Sequence, residues 1–445
     1  MLWRGSAFGT NGGFVVVIVT RSLSALACLL LLPLAVLAQD GQNVQDKEKE
    51  KEKEGESKGL RFVWNRRPSL RAGDMLRVDF RVKLQEDGLS FSPKSEAPEE
   101  SFVFARRRIG IQGNFLKVFE YRVERELTRE SPWRDVFLNF RYFRDVQLQA
   151  GRFKVPFSLD QLTGEMDNDF IHRSRIGDLL APGRDVGVMA HGRVLGRGLS
   201  YQGGVFRHDG DNSRFGHNPG AGRTVAGRVV VTPLRLVTKD SPLADLEAGL
   251  AMTGGDVPEG LNALRGVSIW DTRFSSDVYV KGRRLRTGVE ENWEPGPFSV
   301  KSEYVRVSDE RREQGLLNDD LPKLLSRGWY VSATWIVTGE KKAGGIEPSR
   351  PLFRHGAGAI EIAGRYDRIR FGSNAPGEEP ETNPRAVNLA ENGEGIWTAG
   401  VNWYVNHWVK IQVNSMREAF EDIDRSPRPG RARFWTHIVR FQFVL

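Results

Sequence analysis

Apolar and polar residues alternate one by one along much of this chain. In the clearest stretch, Leu76, Val78, Phe80, Val82 and Leu84 are interleaved with Arg77, Asp79, Arg81, Lys83 and Gln85. A period of two sends the apolar set to one face of a β-strand and the polar set to the other. The pattern recurs and predicts sixteen strands, the first at 74–85 and the last at 432–445. Very short turns such as Asn406-His407 separate some of them, and long polar stretches such as 156–183 and 309–327 separate others.

In a soluble sandwich the apolar faces would meet in a core. In a transmembrane barrel they face lipid, and the charged faces line water. Three features favour the barrel. The predicted strand count is even. Short and long connections alternate, as they do at the two ends of outer-membrane barrels. The chain also ends on an amphipathic strand, with Trp435, Val439, Phe441, Phe443 and Leu445 on one face and His437 interrupting it. Closing that strand onto the first leaves no free sheet edge, which lipid demands. The predicted fold is therefore all-β, a transmembrane antiparallel β-barrel of about sixteen strands over 74–445.

The N-terminus sets the compartment. Arg4 and Arg21 are the only charges before Asp40, an apolar run spans Leu23 to Leu37, and Val36-Leu37-Ala38 offers a small-residue cleavage site. This layout predicts a secretory signal peptide over 1–38, with the mature chain starting at Gln39. A second apolar run, Phe14 to Thr20, allows a start codon further downstream. Beyond Leu37 no apolar run reaches helix-spanning length. Residues 39–73 read as a charged periplasmic linker, because the Lys-Glu run from Lys47 to Glu54 has no apolar face to bury. Cys28, the single cysteine, lies in the signal segment, so the mature chain has no disulfide or thiolate metal site. The formal charge of +8 falls to about +6 without Arg4 and Arg21, a mild bias that suits anionic solutes or lipopolysaccharide.

The polar faces carry candidate lumen cations. Arg77, Arg81 and Lys83 share one face of the first strand, and Arg141 falls on a later polar face. Arg122 lies among Glu120 and Glu124, so its charge is open to neutralisation. Alternation sets Arg106 and Arg108 opposite Arg107, so one of the two faces must hold charge at the interface rim. Each of these residues could equally be a wall residue paired with a neighbouring carboxylate.

The stretch from Val146 through Gly151-Arg152-Phe153-Lys154-Val155-Pro156-Phe157-Ser158-Leu159 to Thr163 resembles the phosphate-selective porin O/P family. So do Ile171-His172-Arg173-Ser174, Ala181-Pro182-Gly183-Arg184-Asp185-Val186-Gly187, Gly328-Trp329-Tyr330 and Gly400-Val401-Asn402-Trp403-Tyr404, in the same order. The resemblance implies an outer-membrane homotrimer, passive diffusion of small hydrophilic solutes with anions such as phosphate or polyphosphate favoured, and an inward fold of 156–183 that narrows the barrel. It implies no cofactor and no nucleic-acid partner. Contacts with outer-membrane lipid and lipopolysaccharide follow from the location. On this reading Arg152, Lys154, Arg173, Arg175 and Arg184 surround the narrowest point. The same segment holds Asp160, Glu165, Asp167, Asp169 and Asp178. A basic constriction forms only if these acids turn to the wall and the arginines to the pore, and both directions remain open.

Other chemistry finds little support. The seven histidines show no metal-ligand spacing, and His208-Asp209-Gly210-Asp211-Asn212 lacks the twelve-residue calcium pattern. The alternatives are a general or carbohydrate-selective porin, suggested by aromatics near strand ends, a plugged structural barrel, and a barrel enzyme, for which no Ser–His pair is evident.

Overall fold

The computed structural model describes residues 59–92, 102–127, 133–143, 145–212, 222–236, 241–269, 271–373, 383–428 and 430–445. The expected signal segment and the Lys-Glu run lie outside the described residues.

Eighteen strands form one sheet. A short hairpin comes first, β1 (Leu60–Asn65) and β2 (Arg67–Ala72). Sixteen wall strands follow: β3 (Leu76–Ser92), β4 (Phe102–Phe115), β5 (Phe119–Glu126), β6 (Trp133–Phe140), β7 (Gln147–Lys154), β8 (Arg184–Val194), β9 (Leu199–Phe206) and β10 (Thr224–Val231). Then come β11 (Glu247–Leu261), β12 (Tyr279–Trp293), β13 (Phe298–Arg311), β14 (Leu321–Ile336), β15 (Ala359–Ser373), β16 (Asn392–Tyr404), β17 (Val409–Phe420) and β18 (Arg433–Val444). Each wall strand pairs antiparallel with the next, and β18 closes on β3 from Val444↔Lys83 to Trp435↔Ser92. Among the described residues no helix is long and apolar enough to cross a membrane.

Alternation behaves as predicted. On β3 the polar Asp79, Lys83 and Gln85 are buried inward while Phe80 is exposed outward. On β18 Phe434, Thr436, Ile438, Arg440 and Gln442 are buried, and Trp435 and Val439 are exposed. In a barrel this inversion is expected, because the exposed apolar face is the one that meets lipid.

The hairpin corrects the expected linker boundary. Residues 60–72 are strand, and β2 pairs with the start of β3 from Ala72↔Leu76 to Ser69↔Asp79. Closing a barrel staggers its strands, and β18 reaches only Lys83 on β3, leaving a notch beneath it. β2 fills that notch. Arg66 turns the hairpin at φ +61°, and its carbonyl accepts from Trp408 Nε1 at 2.7 Å.

Connections at one end are mostly tight, as at 116–118 and 405–408. Two of them, 232–246 and 337–358, are longer than the rest. At the other end they are long. Two long-end segments turn inward: 155–183, as expected, and 262–278, where the sequence predicts no element. β11 runs on to Leu261 through a register shift between Val257 and Gly260 that interrupts the alternation.

Gly151 shapes the exit from β7. Its φ is +127°, and a Cβ there would sit 2.3 Å from the Val136 carbonyl and 2.8 Å from Phe137 Cα. Backbone cannot yield as a flexible side chain can. Gly151→Ala is expected to cost more than about 1 kcal/mol, read as a lower temperature for loss of the folded band in detergent electrophoresis.

Candidate pore constriction

Pro156 has no N–H and ends the β7 ladder, sending the chain into the barrel. Inside, two one-turn helices form, α1 (Leu159–Leu162) and α2 (Arg175–Leu179). Each is capped by a serine. Ser158 Oγ accepts from Gln161 N at 3.3 Å, and Ser174 Oγ accepts from Gly177 N at 3.1 Å.

The segment is held by nearly every sector of the wall. Glu303 on β13 accepts from Leu159 N at 2.9 Å and Asp160 N at 2.7 Å, and from the Tyr330 hydroxyl at 2.8 Å. Asn414 on β17 accepts from Ile171 N at 2.8 Å. Arg365 on β15 donates to the carbonyls of His172 and Arg173, both at 3.1 Å, and lies 4.6 Å over the Phe170 ring. Arg440 on β18 donates to Ile171 O at 2.9 Å. Asp169 meets Lys301 at 3.1 Å and also Lys342, which reaches in from the 337–358 connection. Such bonds replace the water that an infolded backbone would otherwise need.

The acids do not all turn to the wall. Asp160 Oδ2 accepts from Ser174 N at 3.1 Å within the loop, Asp169 is tied to wall lysines, and Asp167 and Asp178 are exposed. Cations gather on Glu165. Arg108 lies 3.0 Å away, Arg184 3.4 Å and Arg173 4.0 Å. Lys154 and Arg106 also act on this carboxylate. Burial alone would raise its pKa, but Arg184, Lys154, Arg108 and Arg106 hold it well below the usual carboxylate range. Five cations thus converge on this one buried carboxylate, and Arg108, Arg184 and Arg173 also meet Glu126, Asp135 and Asp160. His172 adds no charge at neutral pH, because burial and the nearby Arg440, Arg175 and Arg365 push its pKa down to about 3.

Three of the five expected constriction residues therefore share one cluster. Lys154 donates to Leu162 O at 3.2 Å and Thr163 O at 2.7 Å, Arg173 donates to Thr163 O at 2.8 Å, and Arg184 meets Asp135 at 2.8 Å as well as Glu165. The other two stand apart. Arg152 turns to Asp211 at 2.8 Å and Trp133 O at 3.0 Å. Arg175 crosses to Glu394 on β16 at 2.8 Å and reaches the Val267 carbonyl, so it ties the two inward segments to the wall.

Among the lumen candidates, Lys83 pairs with Glu124 at 2.6 Å, Arg81 donates to Gln112, and Arg77 binds Asp79 on its own strand. Arg141 lies one residue past β6, exposed in the turn to β7, because the strand stops at Phe140.

The sequence reading placed Arg106 and Arg108 on one face without assigning them to the site. Their adjacency in register to Gln85 and Lys83 was the available signal. The second inward segment was missed entirely. It docks through apolar residues without periodicity: Leu264 and Phe274 pack with Phe157, Ile176 and Leu180. Ile269 N donates to Glu418 at 2.7 Å.

The sequence profile of the phosphate-selective porin O and P family matches residues 77–445. The chain belongs to that family. It is 24% identical over 386 residues to Porin O of Pseudomonas aeruginosa, covering 78% of this chain and 82% of the relative. Among solved structures, the loop L8 deletion mutant of OmpT, an outer membrane protein of Vibrio cholerae, superposes with a TM-score of 0.53 at 11% identity, over 83% of this chain and 99% of that one. The anion-selective porin from Comamonas acidovorans gives 0.52 at 11% identity, over 83% and 99%. These structures establish the shared barrel, and family membership makes this chain an outer-membrane porin. The long connections accordingly face outside and the tight ones face the periplasm.

Proposed function

We propose that this porin passes small anions, phosphate-like ones among them, in preference to cations. The observation that carries the reading is the convergence of Arg106, Arg108, Lys154, Arg173 and Arg184 on Glu165 at the root of the infolded segment. Cations in a narrow, low-dielectric passage raise the local anion concentration. Guanidinium groups also suit phosphate, because their planar fork donates two parallel hydrogen bonds.

On this reading Lys154, Arg173 and Arg184 flank the narrowest point. Arg152 and Arg175 support it from either side by holding the neighbouring loops. The phosphate selectivity after which the family is described and the anion selectivity of the Comamonas porin agree with this reading. A structure titled as the trimer form of OmpT of Vibrio cholerae, with a TM-score of 0.50, supports assembly as a homotrimer. Residues 1–38 serve export and are removed before Gln39.

The test is the reversal potential of purified protein in a planar bilayer under a potassium chloride gradient, repeated with phosphate. An anion-side reversal potential, with chloride current reduced by added phosphate, is expected. A cation-side value would overturn the reading and leave a general porin.

A further inference from the structure

On β13, β14, β15 and β17 five arginines stand on the outer face, the side of a barrel that is mostly apolar. Arg306 on β13 is the direct cross-strand partner of Arg327 on β14, and Arg327 of Arg370 on β15. Three like charges in one register row destabilise a sheet unless something neutralises them. Below the row, on the lipid-facing sides of β15 and β17, Arg368 pairs in register with Trp329, and Arg417 with Trp397 and Trp435.

Two carboxylates give partial relief. Glu391 accepts from Arg327 at 2.8 Å, and Glu421 accepts from Arg370 at 2.8 Å and from Arg368. Among the described residues Arg306 has no ion partner, and it is exposed. Arg417 lies 5.8 Å over the Trp435 ring and likewise meets no carboxylate among the described residues.

Directly beneath runs a band of rings. Trp329 and Tyr366 are 5.4 Å apart, Tyr366 and Trp397 4.7 Å, and Trp397 and Trp435 are exposed to the outside. Aromatic girdles mark the boundary between hydrocarbon and headgroups. The arginines of the row lie beyond this band, nearer the ends of β14 and β15 that carry the long loops. Their height is that of the outer-leaflet headgroups.

We propose that Arg306, Arg327 and Arg370, with Arg368 and Arg417 below them, bind the phosphorylated headgroup of an outer-leaflet glycolipid. Its acyl chains lie along the ring band below. A phosphate bridging neighbouring guanidinium groups makes charge-assisted bonds and removes the repulsion within the row. A lipid without phosphate does neither. The site is outside the pore, so it is independent of the solute preference.

The experiment compares binding of bis-phosphorylated lipid A, and of the same lipid stripped of phosphate, to purified protein in neutral detergent. Wild type is expected to bind the phosphorylated form at least tenfold more tightly. Arg306→Gln combined with Arg327→Gln and Arg370→Gln is expected to abolish that preference and leave channel conductance unchanged. Arg306→Gln alone breaks no ion pair in the described structure, so it tests the site should the triple variant fail to fold. It is expected to weaken binding severalfold. Equal binding of the two lipids, or undiminished preference in the variants, would overturn the proposal. Displacement of the lipid by millimolar inorganic phosphate would reassign the row to soluble anions. Loss of subunit association with lipid preference intact would reassign it to a subunit interface.

Discussion

Replacing both Arg108 and Arg184 by Gln should reduce the ratio of anion to cation permeability by about tenfold or more, the lower range of what field focusing in a charged cleft supplies. The two residues hold Glu165 from opposite directions, at 3.0 Å and 3.4 Å. They also neutralise Glu126 and Asp135, at 2.6 Å and 2.8 Å. Removing both leaves three carboxylates under-compensated at the root of the infolded segment, which weakens the local positive field. Glutamine keeps hydrogen-bonding capacity, so the change isolates charge from bracing. The measurement is the reversal potential under a salt gradient. An unchanged value would mean that ions pass elsewhere and that this cluster only braces the wall.

Arg175→Ala should act through the structure and not through the field. The guanidinium is buried and bonds Glu394, the Val267 carbonyl and, at 3.6 Å, Asp178. Its loss leaves Glu394 buried without its cation, and breaking a buried pair from one side costs about 3–5 kcal/mol. It also unties α2 from the second inward segment. Two readouts should move together: the temperature at which the folded band is lost in detergent should fall, and single-channel current should grow noisier and larger. A stable variant with wild-type current would show that Glu303, Asn414 and Arg365 hold the segment without it.

The wall was legible because it obeys a local rule. Leu76 to Gln85 and Trp435 to Leu445 show the period of two, and the lipid side must be apolar along its whole height. Residues 60–72 fall in the expected linker because they adjoin the charged repeat and the period of two begins only at Asp74. Only the stagger of the closed barrel creates the notch that makes them strand. The inward fold of 156–183 was legible through Pro156 and the family resemblance. The direction of its acids was not, because Asp169 is matched by Lys301 and Lys342, and Glu165 by Arg108, more than fifty positions away in the chain. The segment 262–278 left no signal of its own, since much of its anchoring runs through backbone groups at Val267, Ile269 and Phe274.

The β1–β2 hairpin bears on the order in which the molecule is completed. Its seat consists of β3, the Trp408 indole 342 positions away and the Glu347 carboxylate 281 positions away. Its pairing with β3 is local in sequence, while its contacts with Trp408 and Glu347 need segments from the far end of the chain. Until the chain's end is delivered, the ladder edge of β3 stays open from Lys83 to Ser92. That stretch then receives β18, beside the stretch that pairs with the hairpin. The two ends of the domain thus share one seam, and neither alone can seal it.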